Sequence, residues 1–327
     1  MTYDHELSVA IAAVKRAAQV CQTVQRAIPS AMAKQDKSPV TIADFASQAV
    51  ICQALGEAFP NDPVIGEEDS AELRLPENKA FLDRVQTELS HIGLNASADE
   101  ICRWIDRGGS NSFGPRFWTL DPIDGTKGFL RGEQYAVSLA LIIDGQITVA
   151  ILGCPNLPLV AGGAADGGSL FTAVRGHGAF VQSCDGNSTA STSPVRVTST
   201  SNWSDVRLCE SVESGHSAHD RSAMISASLG IQQDPVRLDS QAKYAVVARG
   251  EGDLYLRLPT RADYREKIWD HAGGVLVVEE AGGKVTDIDG KPLEFTHGRE
   301  LSANRGVVVT NGRLHEDVLR AIREHVG

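Results

Sequence analysis

Four acidic positions along the chain could do chemistry together. They are Asp44, the pair Glu67-Glu68, the segment Asp121-Pro122-Ile123-Asp124-Gly125-Thr126, and Asp270 after Trp269. The segment at Asp121 is the most informative. Pro122 fixes one backbone angle and Gly125 allows tight turning. Two carboxylates three residues apart can then converge on a hard cation, and the Ile123 carbonyl can join them. Oxygen donors that include several carboxylates suit Mg²⁺ or Mn²⁺, not zinc. Each piece also has an ordinary reading. Asp, Pro and Gly are common turn residues. Asp270 can cap a helix by satisfying free backbone N–H groups. Asp44 can cap a helix start or offset its dipole. One of Glu67 and Glu68 is expected to be a solvated neighbour.

The elements that must position these acids are legible from periodicity. Leu7, Ala10, Ile11, Val14, Ala17, Ala18, Cys21, Val24 and Ile28 recur at helical spacing, with Pro29 closing the helix. A second helix is predicted from Ile42 to Phe59 before Pro60, which places Asp44 at its start. Pro63 to Ile65 reads as a strand that delivers Gly66-Glu67-Glu68, and a polar, irregular stretch follows it. Phe117 to Leu120 reads as a buried strand ending on Asp121. Strands at Tyr135–Ile143 and Gln146–Gly153 flank Asp144-Gly145, a two-residue hairpin signal. A further pair, Leu170–Val174 and Ala179–Gln182, is joined at Gly176-His177-Gly178. The Ser/Thr-rich stretch from Asn187 to Asn202 reads as a linker or surface loop. Beyond it strands (Val206–Glu210, Val236–Leu238, Leu254–Leu258, Gly306–Thr310) alternate with helices (His219–Leu229, Ser240–Arg249, Asp270–Ala281, Leu314–His325). The pattern is α+β first, then α/β.

Composition narrows the class. A chain of 327 residues buries enough surface to need no disulfide or metal for its core. No run approaches the ~18 apolar residues of a membrane helix. Thirty-one basic against 42 acidic residues leave a net charge of −11, which argues against polymeric nucleic acid as a partner. The six cysteines are scattered, with no C-x-x-C pair, as expected of a reduced, intracellular protein. Residues 1–13 carry acids and no signal-like run, so no targeting segment is expected there.

Asp44, Gly66-Glu67-Glu68, Asp121-Pro122-Ile123-Asp124-Gly125-Thr126 and Trp269-Asp270 resemble, in order, the signature of the lithium-sensitive, magnesium-dependent phosphatases of the inositol monophosphatase superfamily. The resemblance to its nucleotide-bisphosphatase branch covers nearly the whole chain. It is carried by Lys37-Ser38-Pro39-Val40-Thr41, by Lys127 to Gly132, by Glu213 to Asp220 around His216, and by Asp239-Ser240-Gln241-Ala242-Lys243-Tyr244. Tyr255-Leu256-Arg257 and Tyr264 to His271 complete it. Gly273-Gly274 stands where that branch more often has Ala-Gly, and an extra helical Gly costs about 1 kcal/mol.

The resemblance implies a layered αβαβα sandwich of the inositol monophosphatase and fructose-1,6-bisphosphatase type. Residues 1–200 would form an α+β domain carrying most metal ligands. Residues 201–327 would form an α/β domain carrying the nucleotide-binding residues and Asp270. It implies two or three Mg²⁺ ions held by Glu67, Asp121, the Ile123 carbonyl, Asp124 and Asp270, with Asp44 and Thr126 orienting and deprotonating the attacking water. Gly125 and Thr126 would receive phosphate oxygens. His216 would contact the adenine, and Ser240, Lys243 and Arg257 the second phosphate, with Ser240 and Lys243 sharing one helix face. His271 and Tyr244 are weaker candidates. The implied reaction is removal of the 3′(2′)-phosphate of adenosine 3′(2′),5′-bisphosphate to give AMP and phosphate, with the corresponding phosphosulfate as a further substrate. The enzyme would be a cytoplasmic monomer of sulfur metabolism, with a small nucleotide as its partner and no membrane. Two other readings compete: an inositol phosphate or polyphosphate 1-phosphatase, and a non-catalytic nucleotide or cation sensor. Against the sensor, a pure binder has no need of the water-activating pair Asp44 and Thr126.

Overall fold

The computed structural model describes residues 3–27, 38–111, 113–164, 167–185, 191–212, 219–259, 261 and 263–326. Helix α1 (Asp4–Ala27) buries an Ala- and Val-rich stripe from Ala10 to Val24. Helix α2 (Ser38–Ala58) lies against it and is apolar almost all round. Both cover one face of a seven-stranded sheet. Its strands are β1 (Val64–Gly66), β2 (Arg116–Asp124), β3 (Ala136–Ile143), β4 (Gln146–Cys154), β5 (Ser169–Val174), β6 (Ala179–Ser183) and β7 (Ser193–Pro194). They lie side by side in chain order, with β1 parallel to β2 and every later pair antiparallel.

The period of two along these strands separates two cores. Val137, Leu139 and Leu141 of β3 face α1 and α2, whereas Ala136, Ala140 and Ile142 face the other way. On that second face lie α7 (Ala242–Ala248) and α8 (Ala272–Glu280), which are buried throughout most of their length. A five-stranded sheet in the order β11-β12-β10-β8-β9 covers them from behind. It is built from β8 (Leu208–Glu210), β9 (Val236–Arg237), β10 (Leu254–Arg257), β11 (Lys284–Thr286) and β12 (Val307–Thr310). Its outer face, with Leu254, Leu256 and Val308, packs under α6 (His219–Leu229) and α9 (His315–Val326). The layers are therefore α, β, α, β, α.

Several boundaries depart from the sequence reading. The stretch after Glu68 is not irregular: it holds α3 (Lys79–His91) and α4 (Ala98–Asp106). Their apolar stripes are narrow, Leu82, Val85 and Leu89 in one and Ile101, Cys102 and Ile105 in the other, so polar residues dominate the composition. Ser97 and Glu100 form a reciprocal capping box at the start of α4. Helix α2 begins at Ser38, which puts Asp44 inside it. Strand β11 was not anticipated; it spans only three residues. Part of the Ser/Thr-rich stretch pairs as β7 with β6. The Asp144-Gly145 hairpin forms as expected, with both residues at positive φ (50° and 76°). The extra glycine Gly273 is more than a helix cost, because a Cβ there would collide with the Ser138 hydroxyl of β3. All six cysteines are buried and free. Among the described residues, no helix is long and apolar enough to cross a membrane.

Candidate active site

The acids meet where β1 and β2 end and the chain enters α8. In a regular strand, residues three apart point to opposite faces. Strand β2 runs through Asp121 and Asp124, beyond its expected end, and a bulge lets it do so. Asp121 pairs with Ser138 and Asp124 with Ala136, so three steps on β2 match two on β3. One extra residue thus turns both carboxylates toward the face shared by Ser138 and Ala136. Pro122 has no N–H to give a ladder, which a bulge tolerates, and the Ser47 hydroxyl donates to its carbonyl at 2.9 Å. The Ile123 N–H donates to Asp121 Oδ1 at 3.1 Å, fixing that carboxylate. The Ile123 side chain is buried in the first core.

Asp44 approaches from α2, where Asp44, Ser47 and Gln48 form a polar stripe at helical spacing on an otherwise apolar helix. It is the seventh residue of that helix, so neither a cap nor a first-turn dipole role applies. Gln48 builds the corner that carries Glu67. Its Nε2 donates to the carbonyls of Glu68 (2.6 Å) and Ile105 (2.9 Å), and its Oε1 accepts from the Glu68 N–H (3.1 Å). A Cβ on Gly66 would sit 2.6 Å from Gln48 Oε1, so only glycine admits the amide. Glu67 itself reaches solvent.

Asp270 is not an N-cap. Helix α8 starts at Ala272, with His271 as the capping residue and no side-chain cap bond. Trp269 and Asp270 are clipped to the β1 end instead: the Arg299 guanidinium stacks over Trp269 at 4.7 Å and donates to the Gly66 carbonyl. Gln241 ties the same corner to the sheet. Its Nε2 donates to the Trp269 carbonyl (2.9 Å), and its Oε1 accepts from Gly274 N–H (3.0 Å) and the Ser138 hydroxyl (3.2 Å).

The electrostatics show what the arrangement lacks. Asp44, Glu67, Asp121 and Asp270 all have pKa values raised above the usual carboxylate range. Loss of water around the carboxyl is the largest cause in each, including Glu67, although that residue as a whole is exposed. Mutual repulsion adds to it: Asp44 feels Glu68 and Glu67, Glu67 feels Asp270, Glu68 and Asp124, and Asp121 feels Glu67, Asp124, Asp270 and Asp44. Carboxylates drawn together from α2, β1, β2 and the α8 entry repel one another unless cations intervene. The all-oxygen donor set fits hard divalent ions. Glu68 has a raised pKa as well, and its backbone is held by Gln48. Among the described residues, the group whose ligand atoms all lie within 4.8 Å of one another is Glu266, Asp270 and His271, not the wider set of acids. Glu266, however, is already paired with Arg257 and His271.

The remaining expected residues fall around this cluster. Gly125 is left-handed (φ 88°) and precedes the short helix α5 (Thr126–Leu130), so a side chain there would be strained; a Cβ would also lie 2.7 Å from that of Ser240. Thr126, at the helix start, is exposed. Ser240 is not on a helix face with Lys243. It occupies a left-handed turn (φ 67°) ahead of α7, with its Oγ accepting from Ala242 N–H at 3.1 Å. The next N–H, of Gln241, donates to Asp124 Oδ2 at 2.6 Å, so this strained turn holds an acid of the cluster. Lys243 is buried; its Nζ donates to the Leu238 carbonyl (3.2 Å) and lies 5.2 Å over the Tyr255 ring. Burial lowers its pKa to about 8, against the pull of Asp124. Arg257 pairs with Glu266 (2.7 Å) and Asp270 (3.5 Å). Neither cation is a solvated surface group. His216 and the segment 213–218 lie outside the described residues, as does Lys37. The sequence reading missed Ser47, Gln48, Gln241 and Arg299. The signal for the first two was there, as polar residues one turn beyond Asp44.

Residues 3–327 match the inositol monophosphatase family. The chain is 46% identical to a 3′(2′),5′-bisphosphate nucleotidase of Schizosaccharomyces pombe, covering 98% of this chain and 96% of the relative. It is 44% identical to 3′(2′),5′-bisphosphate nucleotidase 1 of Arabidopsis thaliana, covering 100% and 98%. The fold is similar to that of the inositol monophosphatase from Anabaena (TM-score 0.64, 23% identity, 99% and 98% covered). It is also similar to that of the Thermotoga maritima enzyme (TM-score 0.63, 19% identity, 98% of each chain).

Proposed function

The chain belongs to the inositol monophosphatase family, and from that premise we propose that it is a Mg²⁺-dependent phosphatase acting on adenosine 3′(2′),5′-bisphosphate. It removes the 3′(2′)-phosphate and yields AMP and inorganic phosphate. The observation that carries this reading is the convergence of Asp44, Glu67, Asp121, Asp124 and Asp270, with the pKa values of Asp44, Glu67, Asp121 and Asp270 raised by burial and mutual repulsion, beside the buried Lys243 and the part-buried Arg257. The extent of identity to named nucleotidases supports the nucleotide over an inositol phosphate.

In this reading Glu67, Asp121, the Ile123 carbonyl, Asp124 and Asp270 hold two or three Mg²⁺ ions. When bound, the ions neutralise the phosphate dianion and the leaving oxygen and make water a better nucleophile near neutral pH. The chain's own residues do the rest. Asp44 takes the proton of the attacking water at its carboxylate. The Thr126 hydroxyl orients that water. The N–H groups of Gly125 and Thr126, at the open start of α5, receive phosphate oxygens. Ser240, Lys243 and Arg257 hold the phosphate that stays, through charge-assisted hydrogen bonds, and His216 contacts the base. The chain works as a monomer in the cytoplasm, a setting that suits six buried thiols. Its parts are residues 1–200, with most of the ligands, and 201–327, with Asp270 and the nucleotide contacts. The phosphosulfate is a second substrate, and lithium inhibits well below concentrations that act through ionic strength.

The test is phosphate release with Mg²⁺ from adenosine 3′,5′-bisphosphate, inositol 1-phosphate and inositol 1,4-bisphosphate, side by side, with and without EDTA. The bisphosphate nucleotide should be preferred and EDTA should abolish turnover. Preference for either inositol phosphate would move the assignment to that branch, and EDTA-resistant turnover would remove the metal.

A further inference from the structure

Behind Asp270, Arg257 heads a chain of polar groups whose other members, Glu266, His271 and Tyr244, the reaction above does not use. Glu266 Oε2 sits 2.7 Å from Arg257 Nε and 3.2 Å from His271 Nε2. His271 Nδ1 lies 2.7 Å from the Tyr244 hydroxyl. Glu266, His271 and Tyr244 are 6%, 0% and 1% exposed, so protein groups and not bulk water must satisfy them. With Tyr244 O–H donating to Nδ1, Nε2 carries the proton and donates to the carboxylate. The chain crosses three elements: Tyr244 on α7, Arg257 on β10, and Glu266 and His271 in the segment that enters α8.

Arg257 has two carboxylates within reach. It is drawn up to Glu266 at 2.7 Å and stands off from Asp270 at 3.5 Å. The difference matters because a guanidinium prefers close, paired contact with a carboxylate. A guanidinium fully engaged with Asp270 would neutralise the acid and cover an oxygen a cation needs. Resting on the proposed ligand role of Asp270 and the proposed phosphate contact of Arg257, we infer that Glu266 is a positioning residue. It holds the Arg257 guanidinium back from Asp270, which leaves Asp270 available to a divalent cation and the guanidinium available to an anionic group of the substrate. The Tyr244–His271 pair braces Glu266 from behind. Without Glu266, the guanidinium, on a side chain only 14% exposed, would be left with Asp270 as its nearest carboxylate and would close on it, since an unpaired charge largely withdrawn from water is costly.

The experiment is calorimetric titration of the full chain with Mg²⁺, without substrate, in the wild type, Glu266→Gln, Tyr244→Phe and the double variant Glu266→Gln/Arg257→Met. Glu266→Gln keeps the shape and removes the charge; it should weaken Mg²⁺ binding about tenfold. Tyr244→Phe removes only the far brace and should weaken it two- to threefold. The double variant should recover wild-type affinity or exceed it, because the guanidinium that competes for Asp270 is gone. A merely structural role predicts the reverse, with the second substitution adding to the first. Unchanged Mg²⁺ affinity in folded Glu266→Gln, or no recovery in the double variant, overturns the inference. If Glu266→Gln does not fold, unchanged affinity in Tyr244→Phe overturns it. An Asp270→Asn control separates this from the underlying assignment: if wild type and Asp270→Asn bind Mg²⁺ alike, the ligand reading has failed, not only the role of Glu266.

Discussion

Gln48→Met tests how the ligand corner is built. Methionine matches the length of glutamine and leaves no large void, yet it removes every hydrogen bond the amide makes to the Glu68 and Ile105 backbone. At about 0.5–1.5 kcal/mol net per bond, the loss is roughly 1.5–4.5 kcal/mol. The upper half applies because Gln48 is fully buried and its contact with the Ile105 carbonyl is sealed from water. Urea unfolding followed by tryptophan fluorescence should show a destabilisation of about 3–4.5 kcal/mol. Part of that energy orders Glu67. If about 1.4–2 kcal/mol of it becomes a cost of assembling the corner around a cation, the Mg²⁺ concentration for half-maximal rate rises about 10- to 30-fold. The rate at saturating Mg²⁺ should change little. Gln53→Met, later on the same helix and, among the described residues, bonded to the exposed Glu57 side chain, is the control and should leave both readouts alone. A stable Gln48→Met protein with an unshifted Mg²⁺ profile would refute the claim that this amide sets the position of Glu67.

Asp44→Asn should lose kcat while calorimetric affinity for Mg²⁺ and for the nucleotide changes little, since its role exists only in the chemical step; loss of binding instead would make it a ligand. Lys243→Met, which removes a charge at nearly constant volume, should lower kcat/KM for adenosine 3′,5′-bisphosphate roughly 10- to 150-fold, from about 1.5–3 kcal/mol per charge-assisted bond. Inositol 1-phosphate, with no second phosphate, should be far less affected, and an equal loss on both would remove Lys243 from substrate recognition. His315 is buried between Thr286 and Thr310, and burial lowers its pKa to about 4, below the ordinary 6.5. Its unfolded form therefore binds the proton first. The stability it contributes is full above pH 6.5 and is lost as the pH falls toward 4. Thermal melts of wild type and His315→Gln should converge over that window; parallel profiles would contradict it.

Much of the layered fold was legible because its helices and strands are long or strongly periodic. The α1 stripe, the β3–β4 hairpin at Asp144-Gly145 and the His219–Leu229 helix all read directly from residue types. Helices α3 and α4 were missed although Leu82, Val85 and Leu89, and Ile101, Cys102 and Ile105, recur at helical spacing and Ser97 with Glu100 spells a capping box; their polar composition outweighed that spacing in the reading. The order of the acids along the chain marked the site, but not how β2 brings Asp121 and Asp124 onto one face. That depends on a bulge, which is a property of the pairing with β3 and not of either strand alone. Ser240 was placed on a helix because its spacing from Lys243 allowed it. Its left-handed turn is imposed from outside, by Gly125 packing against it and Asp124 accepting from the next N–H. The partners of Arg257 were equally hidden, since Glu266 and Asp270 reach it from a separate segment.

The central claim is that the acids are gathered to hold the cations that run the reaction. Asp121 is the most telling position: it is 2% exposed and its charge is opposed by Glu67, Asp124, Asp270 and Asp44. Mg²⁺ binding by calorimetry and phosphate release from adenosine 3′,5′-bisphosphate, measured on the same preparations of wild type and Asp121→Asn, test it directly. The account predicts that the folded variant loses Mg²⁺ binding and turnover together, even though removing one buried charge from a repelling cluster should leave its fold as stable as the wild type or more so. Full Mg²⁺-dependent turnover by Asp121→Asn would contradict it.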